Sequence, residues 1–427
     1  MKGIRAVSFS CTLVIFGIFL ALGNLFRLVE SPLFSDSLMI SEAILYMSAF
    51  ISAFFLRFFT KWIFTICPFI LAIFCSFIYG WYLQGWDIHA SLYAFRLIAL
   101  IVTMSVLAKI CFEQYKGSLQ LFFSYLCKAY GVSLFLGFIL YLFFPDSEKL
   151  WLFLGQYHVG FQGDPHIGRF VSVYFDPNYY SCIAGLAFLL SSYLYMTTKK
   201  RRYQLLSFLF LLSGLLTWSR SGIALLVAVL GFRGWVFIRS CKVTQKGIFL
   251  TGFFLLFLCL YIGIYFEETM IFWERSFHFF EDESALCRLR TFQFGLDLLA
   301  EYPLFGVGIN FLYRYAIEGI GLNSIDSSLL SILIQIGVIP FLFLIMYGSY
   351  KSFALQRISQ LWKKKEERAS YFFSWFLFYG LGVVLFSSQF NNLLFYPFWL
   401  LPFGVITLFL IKYAQIESVT PIAKDYV

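Results

Sequence analysis

Apolar stretches recur along this chain at nearly regular intervals, separated by short polar breaks. They fall near 6–27, 38–56, 62–82, 92–112, 120–144, 177–198, 203–219, 221–238, 247–266, 327–350, 370–388 and 394–412. Most are about 20 residues long, the length an α-helix needs to cross a bilayer. Backbone N–H and C=O groups cannot stay unpaired in hydrocarbon, so each run is predicted to be a helix. The expected fold is all-α: a polytopic membrane protein of about twelve transmembrane helices, forming a single integral membrane domain over 1–427. The run beginning near Ala6 is too long for a signal-peptide core and lacks a convincing small-residue cleavage site. It is read as the first span. No internal repeat and no low-complexity segment is visible.

The polar breaks predict an orientation. With both termini in the cytoplasm, the inner loops hold Lys2, Arg5, Arg57, Lys61, Lys109 and Lys116. They continue with Lys199 to Arg202, then Arg233, Arg239, Lys242 and Lys246, then Lys351, Arg357 and Lys363 to Lys365, and finally Lys412. All these basic positions fall on one side, as the positive-inside rule requires. Two long segments face outward, 145–176 and 267–326. The second is the longest polar stretch and is expected to be a large extracytoplasmic loop. Loops of this length are usually functional or disordered. Helix-compatible amphipathic sequence from Cys287 to Ala300 argues for order and for short helices within it.

Composition strengthens the membrane reading. The 427 residues are 60% hydrophobic, 22% aromatic and only 13% charged, about half the charged fraction of a soluble protein. The net charge of +9 would suit nucleic acid, but the basic residues sit in short one-sided loops, so no nucleic-acid partner is expected. The nine cysteines include no CxxC pair. Several lie in apolar runs (Cys11, Cys67, Cys75, Cys182, Cys259), and Cys287 alone falls clearly in an outer loop. No disulfide framework or zinc site is expected.

Arg169, Arg220, Arg275, Arg288, Arg290 and Arg314 break the charge rule by falling on the outer face. A guanidinium is a permanently charged planar fork suited to phosphate. Arg220 lies in Thr217-Trp218-Ser219-Arg220-Ser221-Gly222, between two spans. It reads either as a snorkelling turn residue or as a binder of a phosphate head group. Arg169 precedes Asp176 and Pro177, which together read as a helix start with Asp176 as N-cap. Arg288 and Arg290 open the amphipathic stretch that ends near Pro303. Alone they would be ordinary solvated charges. Asp326 stands at the mouth of the 327–350 run, either as an N-cap or as a carboxylate able to take a proton from an attacking hydroxyl. His89, His158, His166 and His278 all fall in outer loops without metal-ligand spacing. His166, close to Arg169, is the alternative base.

No nucleotide-binding, metalloprotease or serine-hydrolase motif is present, and the inner loops are too short to build a nucleotide site. Energy for any chemistry must then come from an activated substrate already in the membrane.

Four segments in this order resemble the O-antigen ligase and O-antigen polymerase (Wzy) superfamily of bacterial membrane glycosyltransferases. They are Arg169 to Asn178, Thr217 to Gly222, Arg288 through Pro303-Leu304-Phe305-Gly306-Val307-Gly308, and Asp326-Ser327-Ser328-Leu329 followed by Gly337. The resemblance covers about 165–345; the first half resembles the superfamily only in hydropathy. Ligases of the superfamily typically carry a histidine eleven residues before the glycine corresponding to Gly337. Here that position is Asp326, which favours a polymerase.

The resemblance implies transfer of a glycan from an undecaprenyl-pyrophosphate donor at the outer face of the bacterial inner membrane. In a polymerase, a sugar hydroxyl on a second lipid-linked repeat unit is the acceptor, and the product is O-antigen, capsule or exopolysaccharide. Arg220 and Arg288, helped by Arg169 and with Arg290 nearby, would bind the pyrophosphate. Asp326 would orient or deprotonate the acceptor. His166, Asp176 and Asn178 are secondary candidates. No metal or cofactor is expected. Expected partners are undecaprenyl-pyrophosphate-linked glycans and membrane lipid, with a chain-length regulator and a flippase as further candidates. The alternatives are an O-antigen ligase and a lipid-linked oligosaccharide flippase or transporter.

Overall fold

The computed structural model describes residues 2–28, 40–56, 63–155, 166–240, 270, 283–315, 325–362 and 367–419. These residues form fourteen α-helices joined by turns, with no strand among them. The first half holds α1 (Lys2–Leu22), α2 (Ile40–Phe55), α3 (Ile63–Gln84), α4 (Ile88–Gln114), α5 (Leu119–Phe143) and the short α6 (Ser147–Gly155). Then come α7 (Pro177–Thr198), α8 (Arg201–Leu215), α9 (Arg220–Ser240) and α10 (Glu283–Glu301). The chain continues with α11 (Ser328–Ile336), α12 (Val338–Trp362), α13 (Glu367–Leu385) and α14 (Pro397–Val419).

Each predicted apolar run holds one of these helices, except that 327–350 holds two and 247–266 lies outside the described residues. Six helices (α1, α3, α4, α5, α7 and α13) are long and apolar enough to cross a membrane, and α2, α9, α12 and α14 are shorter apolar helices. The chain is a helical membrane protein.

The helix α7 is the axis of the bundle. Its apolar window is 78% buried, against 28–50% for the other five long spans, because α5, α8, α9 and α13 all pack on it. Buried polar side chains link the central helices. The Tyr379 hydroxyl donates to the Cys182 carbonyl at 2.5 Å and accepts from Trp399 Nε1 at 2.9 Å. Charge is also paired: Arg96 on α4 makes two 2.9 Å bonds to the carboxylate of Glu42 on α2, which is fully buried. A buried charge without its partner would be strongly destabilising, so this pair pins α2 to α4.

The two ends of the bundle are distinct. The 27 residues of α4 span about 40 Å. At its start Asp87 caps the helix and binds Arg314; at its far end Glu113 pairs with Arg5.

Two elements depart from the sequence expectation. The segment 145–176 contains a short helix, α6. The 327–350 run is not one helix but breaks at Gly337, and the cause is the segment 303–308. Val307 N donates to the Ile334 carbonyl and Gly308 N to the Gln335 carbonyl, while Val338 N and Ile339 N donate to the Pro303 and Leu304 carbonyls, all at 2.9–3.2 Å. The inserted segment thus satisfies backbone groups that the break would leave unpaired in an apolar setting. Gly337 has φ +75°, and a Cβ there would lie 2.4 Å from the Leu304 oxygen. Only glycine fits. The residues flanking the break are apolar, so hydropathy reads straight through it.

Candidate functional site

One half of the candidate site is built where α7, α8 and α9 meet. Phe170 is buried and its N–H donates to the Leu216 carbonyl at 2.9 Å. This lays the preceding Arg169 across the 217–219 turn. Arg169 Nε donates to the Thr217 carbonyl at 2.8 Å, and Nη2 reaches the Trp218 carbonyl and Asn178 Oδ1, both at 3.5 Å. His166 Nδ1 lies 3.4 Å from Arg169 Nη1, so His166 belongs to this half of the site. Arg220, half-buried, is the first residue of α9. Asp176 is the N-cap of α7, accepting from Asn178 N at 2.7 Å and Tyr179 N at 3.1 Å, with Pro177 as the first helical residue. The Ser219 hydroxyl donates to Asn178 Oδ1 at 2.8 Å and accepts from Gly222 N at 3.3 Å. Asn178 therefore couples the start of α7 to the start of α9. A Cβ at Gly222 would lie 2.0 Å from Ser181 Oγ, so glycine sets how closely α9 approaches α7.

The second half comes from α10 and α11. Arg288 Nε donates to Asp326 Oδ2 at 3.2 Å. The Asp326 side chain is 44% exposed and that of Arg288 22%, so both are partnered yet reachable. The expectation of Asp326 as helix cap needs correction. Ser327 caps α11, accepting from Leu330 N at 3.2 Å, because its hydroxyl stands one residue nearer the helix. That leaves the Asp326 carboxylate to Arg288. Apolar contacts dock α10 on α11: Leu298, Val307, Ile325 and Ile334 form a common buried cluster.

The remaining outer-face candidates are dispersed. Arg290 is exposed on α10, two residues and about 200° of helix rotation from Arg288. Arg314 binds Asp87 Oδ2 through Nε at 3.1 Å and Nη2 at 2.5 Å, and the Gln84 carbonyl through Nη1 at 2.6 Å. It ties the 302–315 segment to the α3–α4 turn. His89 is exposed in the first turn of α4. Arg275, His158 and His278 lie outside the described residues.

Residues that the sequence reading passed over join the two halves. The turn between α13 and α14 runs Ser387-Ser388-Gln389-Phe390-Asn391-Asn392. Asn391 Nδ2 lies 3.4 Å from Ser221 Oγ, and the Asn391 carbonyl accepts from Ser328 Oγ at 2.9 Å. Ser327 Oγ donates to Gln389 Oε1 at 2.8 Å. This turn therefore touches the residue after Arg220 and the two residues after Asp326. A second link is Tyr179 in the first turn of α7, which stacks on Tyr396, just before α14, at 4.2 Å. The only signal for the turn was its polar composition between two apolar runs.

Three helix N-termini, those of α7, α9 and α11, are thus hydrogen-bonded into one end of the bundle. Each N-terminus carries a positive partial charge, and side chains of the site satisfy its first N–H groups: Asp176 at α7, Ser219 at α9 and Ser327 at α11. With Arg169, Arg220 and Arg288 at the same end, the site is suited to an anion, and Asp326 supplies an accessible carboxylate beside it.

A family model described as O-antigen ligase matches residues 205–345, about a third of the chain. The matched segment contains Arg220, Arg288, the 303–308 insertion and Asp326. No curated protein matches the chain. The match supports the O-antigen ligase and polymerase superfamily of membrane glycosyltransferase-like enzymes, in common to both branches.

Proposed function

We propose that this protein is a membrane glycosyltransferase that polymerises undecaprenyl-pyrophosphate-linked repeat units into O-antigen, capsule or exopolysaccharide. It would act on the outer face of the bacterial inner membrane. The observation that carries the reading is the placement of Arg169, Arg220 and Arg288 at one bundle end with three helix N-termini, beside the Arg288–Asp326 pair.

In this mechanism an acceptor hydroxyl oxygen attacks the anomeric carbon of the donor sugar. The bond from that carbon to the pyrophosphate oxygen breaks, and the pyrophosphate leaves on its lipid with the electron pair. Arg220 and Arg288 face the growing negative charge, a form of preorganised electrostatic stabilisation. Arg169 is held by the Thr217 and Trp218 carbonyls, so it supports the Arg220 segment and adds its positive charge to the anion site. Asp326 takes the proton from the attacking hydroxyl. Its contact with Arg288 then links the acceptor side of the reaction to the leaving-group side. A flippase would deliver the donor, and a chain-length regulator would set how many transfers occur.

Asp326 in place of the ligase histidine favours the polymerase over a ligase. Charge placement favours it over a flippase. A flippase would line a central path with charges, whereas the half-buried Arg96 and buried Glu42 are closed on each other.

Removing a clamp arginine should raise the barrier by about 3 kcal/mol or more, by analogy with lost oxyanion donors. Strains carrying Arg220→Ala or Arg288→Ala at normal protein level should lose long polymer on a gel. A near-wild-type length distribution in both would contradict the assignment.

A further inference from the structure

We propose that Gln389, on the turn between α13 and α14, is a positioning residue for the transfer reaction. By accepting the Ser327 hydroxyl proton it makes Ser327 the cap of α11 and keeps the Asp326 carboxylate turned to Arg288 and the acceptor. This rests on the glycosyl-transfer reading. Gln389 lies outside the segment that matches the family model and outside every candidate named from the sequence.

Two adjacent residues compete to cap α11. Asp and Ser are about equal as caps, and a carboxylate gains further from the positive partial charge of a helix N-terminus. Local preference therefore leans to Asp326, yet Ser327 holds the cap, its oxygen accepting from Leu330 N at 3.2 Å. The deciding contact is tertiary. Ser327 is buried, and its hydroxyl donates to Gln389 Oε1 at 2.8 Å. With the proton drawn to Gln389, the oxygen lone pairs face the helix N–H groups. Gln389 Nε2 lies 3.5 Å from the Val384 carbonyl at the end of α13, so the amide presents its oxygen, not its nitrogen, to Ser327. The next residue is docked on the same turn: Ser328 Oγ donates to the Asn391 carbonyl at 2.9 Å and accepts from Leu394 N at 3.2 Å.

Removing the Gln389 acceptor would strand the Ser327 proton in a buried setting, which is costly. The start of α11 then gains by taking in one more residue, with Asp326 as its cap. A capping carboxylate turns to the helix N–H groups and lets go of Arg288. The base is lost from the acceptor side, while Arg288 meets the pyrophosphate without a competing carboxylate. Turnover and donor affinity therefore move in opposite directions, which a general loosening of the fold would not produce.

Turnover of undecaprenyl-pyrophosphate-linked repeat units and equilibrium binding of undecaprenyl pyrophosphate would be measured on the purified full-length protein. The forms compared are wild type, Gln389→Met, Ser327→Ala, Asp326→Asn and the double variant Gln389→Met with Asp326→Asn. Methionine keeps the side-chain length and lacks the carbonyl. Gln389→Met should lower kcat about tenfold, the loss of one hydrogen bond to a buried partner. It should tighten undecaprenyl pyrophosphate about threefold, the worth of one partly exposed ion pair. Ser327→Ala, which removes the hydroxyl itself, should do the same. Added to Asp326→Asn, Gln389→Met should change neither quantity by more than about twofold, because it acts through Asp326. Wild-type kcat in Gln389→Met, weaker binding of undecaprenyl pyrophosphate, or effects that persist undiminished beside Asp326→Asn overturn the proposal and leave the polymerase reading intact. Folded wild type that binds undecaprenyl pyrophosphate yet forms no polymer overturns the polymerase reading, and the binding measurements still decide the role of Gln389.

Discussion

Arg169 and Arg288 use the same functional group differently. Arg169 spends its donors on two backbone carbonyls and Asn178, while Arg288 holds one carboxylate and stays reachable. A lysine has no fork and reaches a single acceptor well. Arg169→Lys should therefore lower polymer synthesis at least about tenfold and lower the melting temperature in detergent, with Asn178→Ala doing the same more weakly. Wild-type activity in Arg169→Lys would mean that only its charge matters. Asp326 is tested by isosteric change. If it takes the proton, Asp326→Asn should lose about a hundredfold or more, as severely as Asp326→Ala. Activity retained in Asp326→Asn would reduce it to a hydrogen-bond partner of Arg288. At this scale the candidate arginines were legible, because each violated a charge rule. Arg314 violated it too, yet its partner Asp87 lies 227 residues away, and no local pattern announces such a clip. Gln389 and Asn391 were illegible because uncharged amides in a short turn break no rule.

The elements that shape the site are breaks rather than spans. The arginine-bearing start of α9 and the α13–α14 turn separate apolar runs, Gly337 splits one, and α10 lies in the long polar stretch. Hydropathy reads the length of a run and is blind to an apolar kink, which is why the 327–350 segment was expected to be continuous. The 303–308 insertion makes that kink stable by supplying hydrogen bonds to both sides of it. Gly337→Ala should therefore destabilise the fold, lowering the thermal midpoint of the purified protein and reducing polymer yield together. An unchanged midpoint would show that the 303–308 contact is dispensable. The Arg314–Asp87 clip joins the residues that follow this segment to the start of α4. A double-mutant cycle on Arg314→Ala and Asp87→Ala should give a coupling of about 1–3 kcal/mol in thermal unfolding, and additive effects would contradict a direct clip.

At the level of the whole molecule, the two ends of α4 separate two charge regimes. One end holds the site, and the other holds the Arg5–Glu113 pair. The orientation predicted from the basic loops puts the site outside. Cys287 is free and exposed one residue before Arg288, which makes it a natural reporter. In a variant retaining Cys287 as its sole cysteine, a membrane-impermeant maleimide should label intact spheroplasts. A sole cysteine at position 199, in the turn after α7, should react only after permeabilisation. The reverse pattern would place the site in the cytoplasm and remove its access to exported donor. Fold class and the apolar runs were legible because the bilayer imposes length and hydrophobicity on each span. The convergence of α7, α9, α10 and α11 was not, because it depends on packing between distant segments.

The central claim is that arginines and helix N-termini at one bundle end drive glycosyl transfer from a lipid pyrophosphate with Asp326 as base. The most direct measurement is incubation of the purified protein in detergent with undecaprenyl-pyrophosphate-linked repeat units and no nucleotide, followed by gel separation of the products. The account predicts a ladder of polymer with wild type and no ladder with Arg288→Ala. No ladder from folded wild type, together with movement of the same lipid-linked units across liposomes, would contradict it.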